Sequence, residues 1–142
     1  MARLTINLTE LLTRAGCSQA VIDVANERVR QVTAEGYTLE HDDEHIDGSI
    51  ASVASCYALP PLKRLMAKMR FPRDVGRSAD EPVIVRDEVA VPINWPQSWH
   101  GSAWKARDRR RELVIAGALI LAEIERIDRA ARRTTGREGE PR

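Results

Sequence analysis

The chain has 142 residues, of which 43% are hydrophobic and 30% charged, a composition typical of a folded globular protein rather than a disordered one. Its 22 basic and 21 acidic residues leave a net charge of only +1, so we expect no nucleic acid held by bulk charge. No signal peptide, paired cysteine spacing or apolar run of about 18 residues is visible. These features predict a cytoplasmic protein with no membrane contact and no cofactor.

Two helices are predicted before Gly36. The first covers residues 5–15, with Thr5 or Asn7 as its cap. Residues 6–12 carry more apolar side chains than a helix of this length needs, so we expect it to pack across a homodimer. The second helix begins after Ser18, and its apolar residues, spaced to face the core, are Val21, Ala25, Val29 and Val32. Its polar face is formed by Asp23, Glu27, Arg28, Arg30 and Gln31.

The middle of the chain is more irregular. Residues 37–45 form a polar connection without a period, and a short helix capped by Asp47 or Ser49 then extends to Ala58. This helix is predicted to bury Ile50, Val53, Ala54 and Tyr57. Pro61 suits the first turn of a further helix, which would contain Leu62, Leu65, Met66 and Met69. Residues 70–81 are predicted to form a loop, and the valines alternating over residues 82–92 predict a β-hairpin that turns at residues 86–88.

Residues 105–133 predict the long helix around which the chain folds. Its middle turns are apolar nearly all round, as in a helix that is buried on several sides. The face predicted to be buried contains Leu113, Ala116, Ile120, Ile124, Ile127 and Ala131. The fold class that follows is mainly α: a single helical domain over residues 1–133, with one small hairpin insertion and a disordered tail at residues 134–142.

All three tryptophans lie within residues 95–104, directly before a basic run that consists of Lys105, Arg107, Arg109, Arg110 and Arg111. Aromatic rings beside arginines can stack a planar ring and hold a phosphate. The plainer alternative is that the tryptophans close one end of the core while the arginines lie in solvent. Arginines in the first turns of a helix oppose its dipole, so a bound anion or a partner carboxylate would relieve an unfavourable arrangement.

The segment of residues 41–45 offers two imidazoles and three carboxylates, ligand types that suit a divalent metal. No partner ligand is evident elsewhere, so a solvated acidic loop is the simpler interpretation. No nucleophile elbow, phosphate-binding loop or dinucleotide fingerprint occurs. The sequence therefore favours a protein that is not an enzyme, with a metal-dependent hydrolase as one alternative.

Several short motifs occur in a particular order: Arg28-x-Arg30-Gln31, Glu35-Gly36-Tyr37-Thr38, His41-Asp42-Asp43 and Trp104-Lys105-x-Arg107-Asp108-Arg109. This order resembles a group of small proteins of tailed phages and prophages and, more distantly, the ryanodine-receptor repeat domain. The resemblance implies a mostly helical fold and, as suspected for bacterial members of the repeat family, the sensing of nucleotide-like ligands in conflict systems. The matching residues are Gly36, Tyr37, Asp42, Asp43, Lys105, Asp108 and Arg109. Tyr37 replaces the usual tryptophan, and the repeat lacks a counterpart of residues 60–101.

The resulting prediction is a phage accessory protein of the host cytoplasm that captures an anionic, nucleotide-like molecule as a counter-defence. The alternative to this hypothesis, besides the hydrolase, is an inhibitor or accessory factor that binds a host protein. A homo-oligomer is expected in either case. The predicted ligand-binding residues are Tyr37, Asp42, Asp43, Trp104, Lys105, Asp108 and Arg109, and we expect one cleft to bring them together.

Overall fold

The computed structural model describes residues 7–78 and 81–138. The described chain is mainly α-helical with one two-stranded antiparallel sheet, so the predicted fold class is confirmed. No helix among the described residues is both long and apolar enough to cross a membrane. In chain order, the elements are α1 (Leu8–Arg14), α2 (Gln19–Thr33), α3 (Leu39–Glu44), α4 (Ser49–Ala58), β1 (Met66–Ser78), β2 (Glu81–Pro92) and α5 (Arg109–Glu138).

Side-chain caps define the beginnings of the first helices. The Asn7 side chain accepts a hydrogen bond from the Glu10 N–H at 2.8 Å, and the Ser18 hydroxyl accepts one from the Val21 N–H at 3.4 Å. Such bonds satisfy backbone donors that have no partner within the helix. The predicted caps Asn7 and Ser18 are confirmed, whereas Thr5 and Ile6 lie outside the described residues.

The segment predicted to be an irregular connection contains a helix. Thr38 caps α3 by accepting a hydrogen bond from the His41 N–H, and acidic side chains in the first turn favour the positive end of the helix dipole. The next helix, α4, ends at Ala58 as predicted, but its N-cap is Gly48, which has no side-chain cap, rather than Asp47 or Ser49. Its predicted core residues are all buried: Ile50, Val53, Ala54 and Tyr57.

The hairpin is longer than the sequence predicts. Pro61–Lys63 forms only a single 3-10 turn, and β1 then begins at Met66, so the predicted helix through Met69 is wrong. The strands pair from Met66 with Pro92 to Ser78 with Glu81, which makes residues 86–88 part of β2 rather than a turn. Residues 70–78, predicted to be a loop, belong to β1 because pairing with the distant β2 overrides the local turn residues.

α5 buries a different face from the predicted one. Ile120, Ile124 and Ile127 are each about half exposed, at 49%, 49% and 51%. The buried apolar positions carry mostly small side chains: Val114, Ala116, Ala118, Leu119 and Ala122. Small residues let neighbouring helices approach closely, and a Cβ built on Gly117 would lie only 3.2 Å from the Val24 methyl groups of α2.

The faces of α2 are also reversed relative to the prediction. Val21 and Val29 are about half exposed, while Glu27, Arg28 and Gln31 are buried. Buried charged groups are tolerated when they are paired and hydrogen-bonded, as both Glu27 and Arg28 are.

At the other end of the chain, α5 continues to Glu138 through part of the predicted tail, and residues 139–142 lie outside the described part.

Candidate ligand-binding site

Three arginines at the start of α5 are held in structural contacts. Arg109 donates from Nη1 to the carbonyl oxygens of Tyr57 and Leu59, and from Nη2 to that of Ala58, at 2.5–3.1 Å. It therefore caps the C-terminal end of α4, where carbonyls lack partners within the helix. Arg110 pairs with Asp23 at 2.7 Å, and Arg111 pairs with Glu27 at 2.5 Å. Carboxylates of this protein thus offset the unfavourable position of these arginines on the helix dipole, and no bound anion is needed for that purpose.

The Trp104 ring packs between side chains of the fold. The Arg64 guanidinium carbon lies over the Trp104 ring, 4.8 Å from its centroid. The centroid of the Tyr57 ring is also 4.8 Å from the Trp104 centroid. Arg64 also forms a 2.9 Å ion pair with the fully buried carboxylate of Glu112. Trp104 is therefore packed within the fold and is not among the residues that line the cavity described next.

A partly open cavity of about 250 Å³ lies where α2, α4 and α5 meet the aromatic loop, which we define as residues 93–108. Its aromatic lining consists of Tyr37, Tyr57, Trp95 and Trp99. Hydrogen bonds fix both tryptophans: Trp95 Nε1 donates to the Trp99 carbonyl, and Trp99 Nε1 donates to the Ser49 hydroxyl, each at 3.1 Å. Rings held in this way form a wall against which a planar ligand could stack.

An ionic cluster forms the α2 side of the cavity. The Glu27 carboxylate accepts hydrogen bonds from Arg30 at 2.8 and 2.9 Å and from Arg111 at 2.5 Å, and Arg30 also pairs with Glu35 at 2.8 Å. Burial opposes ionisation of Glu27, but these hydrogen bonds outweigh it and hold the pKa of the carboxyl below its ordinary value. Glu27 is thus a buried anion whose charge is met by two cations.

Two phenol groups in the cavity stay neutral at physiological pH. Burial raises the pKa of Tyr37, and the Glu35 charge adds to that effect. Burial also raises the pKa of Tyr57, although the Lys105 backbone N–H and the Arg107 charge act in the opposite direction. The Tyr57 hydroxyl donates to the Ala103 carbonyl oxygen at 3.5 Å, so the Tyr37 hydroxyl is the one that can donate a hydrogen bond to a ligand.

Lys105 and Arg107 are the basic cavity residues that no carboxylate neutralises. Both are exposed and line the cavity, and within residues 7–78 and 81–138 neither side chain has an ion-pair partner. Of the four cations at the cavity, Arg30 and Arg111 are paired with acidic groups, whereas Lys105 and Arg107 are available to an anion. The arrangement combines an aromatic interior with positive charge at the exposed edge.

The predicted cleft of Tyr37, Asp42, Asp43 and Trp104 does not form. Among the predicted ligand-binding residues, Tyr37 and Lys105 line the cavity. Asp42 is instead buried in a 2.9 Å ion pair with Arg28 of α2. This pairing satisfies a charge that would be costly to bury alone.

The other predicted acidic residues also have structural partners. Asp43 binds Arg129 at 2.9 Å and also contacts Arg133, which attaches α3 to α5. Asp108 accepts a hydrogen bond from the Arg111 N–H at 3.1 Å in the first turn of α5. Neither Asp42 nor Asp43 pairs with the basic run, so these carboxylates do not orient its arginines.

The residues proposed as metal ligands form a packed aromatic cluster. The rings of His41 and His45 meet edge to face with centroids 4.8 Å apart, and they pack against Tyr37 and Trp99 respectively. The described part of the chain contains no group of three or more His, Cys, Asp or Glu side chains placed to hold a metal ion. Asp42 and Asp43 are paired with arginines, and one Asp42 oxygen also lies 3.9 Å from Nδ1 of His41.

The sequence interpretation missed several lining residues, notably Glu27, Arg30, Tyr57 and Trp99. A partial signal was present in α2, where Glu27 and Gln31 are four residues apart and so share one helical face. That face was assigned to solvent because it is polar. Only the three-dimensional arrangement brings it to the aromatic loop.

Comparison of the chain with protein-family models, curated proteins and solved structures finds no match. The phage-protein and ryanodine-repeat resemblance therefore remains a prediction from short motifs.

Proposed function

We propose that this chain is a non-enzymatic binding protein that captures a small anion carrying a planar ring, of the nucleotide type. The observation that carries the proposal is the position of two cations, Lys105 and Arg107, at the exposed edge of an aromatic-walled cavity, where neither has an acidic partner among the described residues. In the setting that the resemblance implies, a phage protein in a host cytoplasm, such capture would withdraw a nucleotide signal of host defence.

The size of the cavity limits how such a ligand can bind. A volume of about 250 Å³ lies just below the roughly 300–1,000 Å³ of typical ligand pockets, which is enough for a planar ring but small for a whole nucleotide. The ring would stack inside, next to Tyr37 and Trp99, while the phosphate lies at the edge near Arg107. Stacking contributes about 1–3 kcal/mol per base and does not depend strongly on which base is present.

Calorimetric titration with a nucleoside monophosphate and with the matching nucleoside tests this arrangement. The monophosphate should bind more tightly, because a hydrogen bond to a charged group contributes about 1.5–3 kcal/mol. Arg107→Ala should weaken binding of the monophosphate about tenfold, the lower end of that range, because the residue is exposed. It should leave binding of the nucleoside unchanged.

Arg132→Ala is the matched control, since Arg132 is also exposed on α5 but does not line the cavity. Its affinity for the monophosphate should equal that of the unmodified protein. The proposal is overturned if neither the monophosphate nor the nucleoside binds. It is also overturned if Arg107→Ala and Arg132→Ala weaken binding of the monophosphate equally.

The second candidate is a factor that binds another protein. It is favoured by the half-exposed isoleucines of α5, because large apolar side chains grouped on a surface commonly mark an interaction site. A metal-dependent hydrolase receives no such support, since the His41 and His45 rings pack against aromatic side chains and the adjacent carboxylates bind arginines.

A further inference from the structure

Gln31 is a buried amide that lines the cavity. Only 4% of the residue is exposed, and it lies on α2 about one helical turn after Glu27. Among the described residues, no protein group forms a hydrogen bond with its side chain. A polar group this deeply buried is normally hydrogen-bonded, because an unpaired donor or acceptor in the interior is unfavourable. The Gln31 amide is therefore free to bind a group that enters the cavity.

The polar atoms of Gln31 can be reached from the cavity. In the described part of the chain, the fully enclosed side-chain atoms that lack a hydrogen-bond partner are Arg28 Nη1 and His41 Nδ1. The Gln31 oxygen and nitrogen are not among these enclosed atoms, so they keep contact with open space. Because the residue is otherwise buried and lines the cavity, that space is the cavity itself.

The protein already engages most other polar groups of the cavity interior. Both indole N–H groups and the Tyr57 hydroxyl donate to protein oxygens. The ionic cluster satisfies the Glu27 carboxylate. The Gln31 amide and the Tyr37 hydroxyl remain, and the Tyr37 N–H donates to the Gln31 carbonyl oxygen at 3.1 Å. A ring that stacks next to Tyr37 would therefore lie close to the Gln31 amide.

A glutamine amide is complementary to one kind of ring edge. Its Nε2 donates and its Oε1 accepts in a single plane, so it matches an edge that carries an acceptor beside a donor. Nucleobases have such edges, whereas a plain aryl ring has none. Glutamine forms a bidentate contact of this kind with adenine in DNA complexes, and a good pair changes affinity by about tenfold.

We propose that Gln31 selects the ring of the captured anion through a bidentate hydrogen bond to the ring edge, so that the ligand is a nucleotide rather than another aryl phosphate. This inference rests on the proposed function, because it assigns a partner within the same cavity. Stacking tolerates many rings, and the cations Lys105 and Arg107 attract any anion. Gln31 supplies the specificity that those contacts lack.

Calorimetric titration with two closely matched ligands tests this contact. Adenosine monophosphate carries an amino group beside a ring nitrogen, and purine riboside monophosphate lacks only that amino group. The unmodified protein should bind adenosine monophosphate about tenfold more tightly, because the analogue leaves the Gln31 Oε1 unpaired. Gln31→Met keeps a side chain of similar length but removes both hydrogen-bonding atoms, so it should bind the two ligands with equal affinity.

Gln97→Met is the matched control, since Gln97 is exposed in the aromatic loop and does not line the cavity. It should keep the preference for adenosine monophosphate. If the nucleotides bind but the unmodified protein does not distinguish them, or if Gln31→Met keeps the preference, the role of Gln31 is overturned and nucleotide capture stands. If neither nucleotide binds, nucleotide capture is overturned, and the role of Gln31 with it.

The side-chain amide signals in a nitrogen–proton NMR spectrum provide a second test that needs no variant to fold. The chain has three glutamines, Gln19, Gln31 and Gln97, and Gln19 donates to Asp23 at 2.8 Å outside the cavity. Adenosine monophosphate should shift the Gln31 NH₂ signals to saturation and leave those of Gln19 and Gln97 nearly unchanged. Unmoved Gln31 signals in a protein saturated with the nucleotide would contradict the contact.

Discussion

Arg107 and Arg109 are two residues apart, yet their side chains have different surroundings. Arg109 donates to three carbonyl oxygens at the end of α4 and lies 3.7 Å from the buried Glu112 carboxylate. Arg107 lines the cavity without an acidic partner in the described part of the chain. At the scale of single residues, the basic run therefore divides into arginines that stabilise the fold and cations that can bind an anion.

Arg109→Ala should lower the free energy of unfolding by about 1–3 kcal/mol, because it leaves the terminal carbonyls of α4 without their side-chain donor. Urea denaturation measures this loss, with Arg132→Ala as the control that should change it little. Under conditions where both proteins are folded, ligand affinity should be unaffected by Arg109→Ala. Unchanged stability together with lost affinity would show that Arg109 contacts the ligand, as the sequence alone suggests.

At the scale of single elements, α5 shows why periodicity did not identify the buried face. Its middle turns carry apolar residues nearly all round, so the 3.6-residue period fits more than one face equally well. Packing decides between them: Ala118 and Ala122 are small enough for close contact between helices, whereas the isoleucines remain outside. α2 adds a second reason, because ion pairs allow Glu27 and Arg28 to be buried while Val21 stays half exposed.

Ala118→Asp and Ile120→Asp should therefore differ sharply. Ala118 has no exposed surface, and an unpaired charge buried there would cost several kcal/mol, comparable to the whole stability of a domain. We expect Ala118→Asp to be unfolded or aggregated, and Ile120→Asp to keep native helical circular dichroism. The opposite outcome, a folded Ala118→Asp and an unfolded Ile120→Asp, would mean that the buried face is the one predicted from the sequence, which contains Ile120, Ile124 and Ile127.

At the scale of the whole molecule, local signals predicted much of the fold. Capping residues identified the starts of α1 and α2, and apolar residues indicated α4 and α5, because helices are formed by contacts close in sequence. The full hairpin could not be predicted in this way, because Pro72 and Gly76 are typical of a loop and β1 depends on pairing with residues many positions away.

The candidate site was less accessible to sequence reasoning than the fold. Tyr37 and Lys105 were predicted from the family resemblance and both line the cavity, but the other walls of the cavity come from separate elements. Tyr57 reaches it from α4, Glu27 from α2 and Trp99 from the aromatic loop. No spacing rule joins such residues, and the buried Arg28–Asp42 pair shows that a conspicuous acidic motif can serve the core instead.

The indole N–H signals in a nitrogen–proton NMR spectrum test the central claim most directly. The chain has three tryptophans, and Trp95 and Trp99 line the cavity whereas Trp104 does not. Single Trp→Phe variants would assign the three signals. Addition of a nucleoside monophosphate should shift the signals of Trp95 and Trp99 to saturation and leave that of Trp104 nearly unchanged. Three unmoved signals, or a shift confined to Trp104, would contradict ligand capture in this cavity.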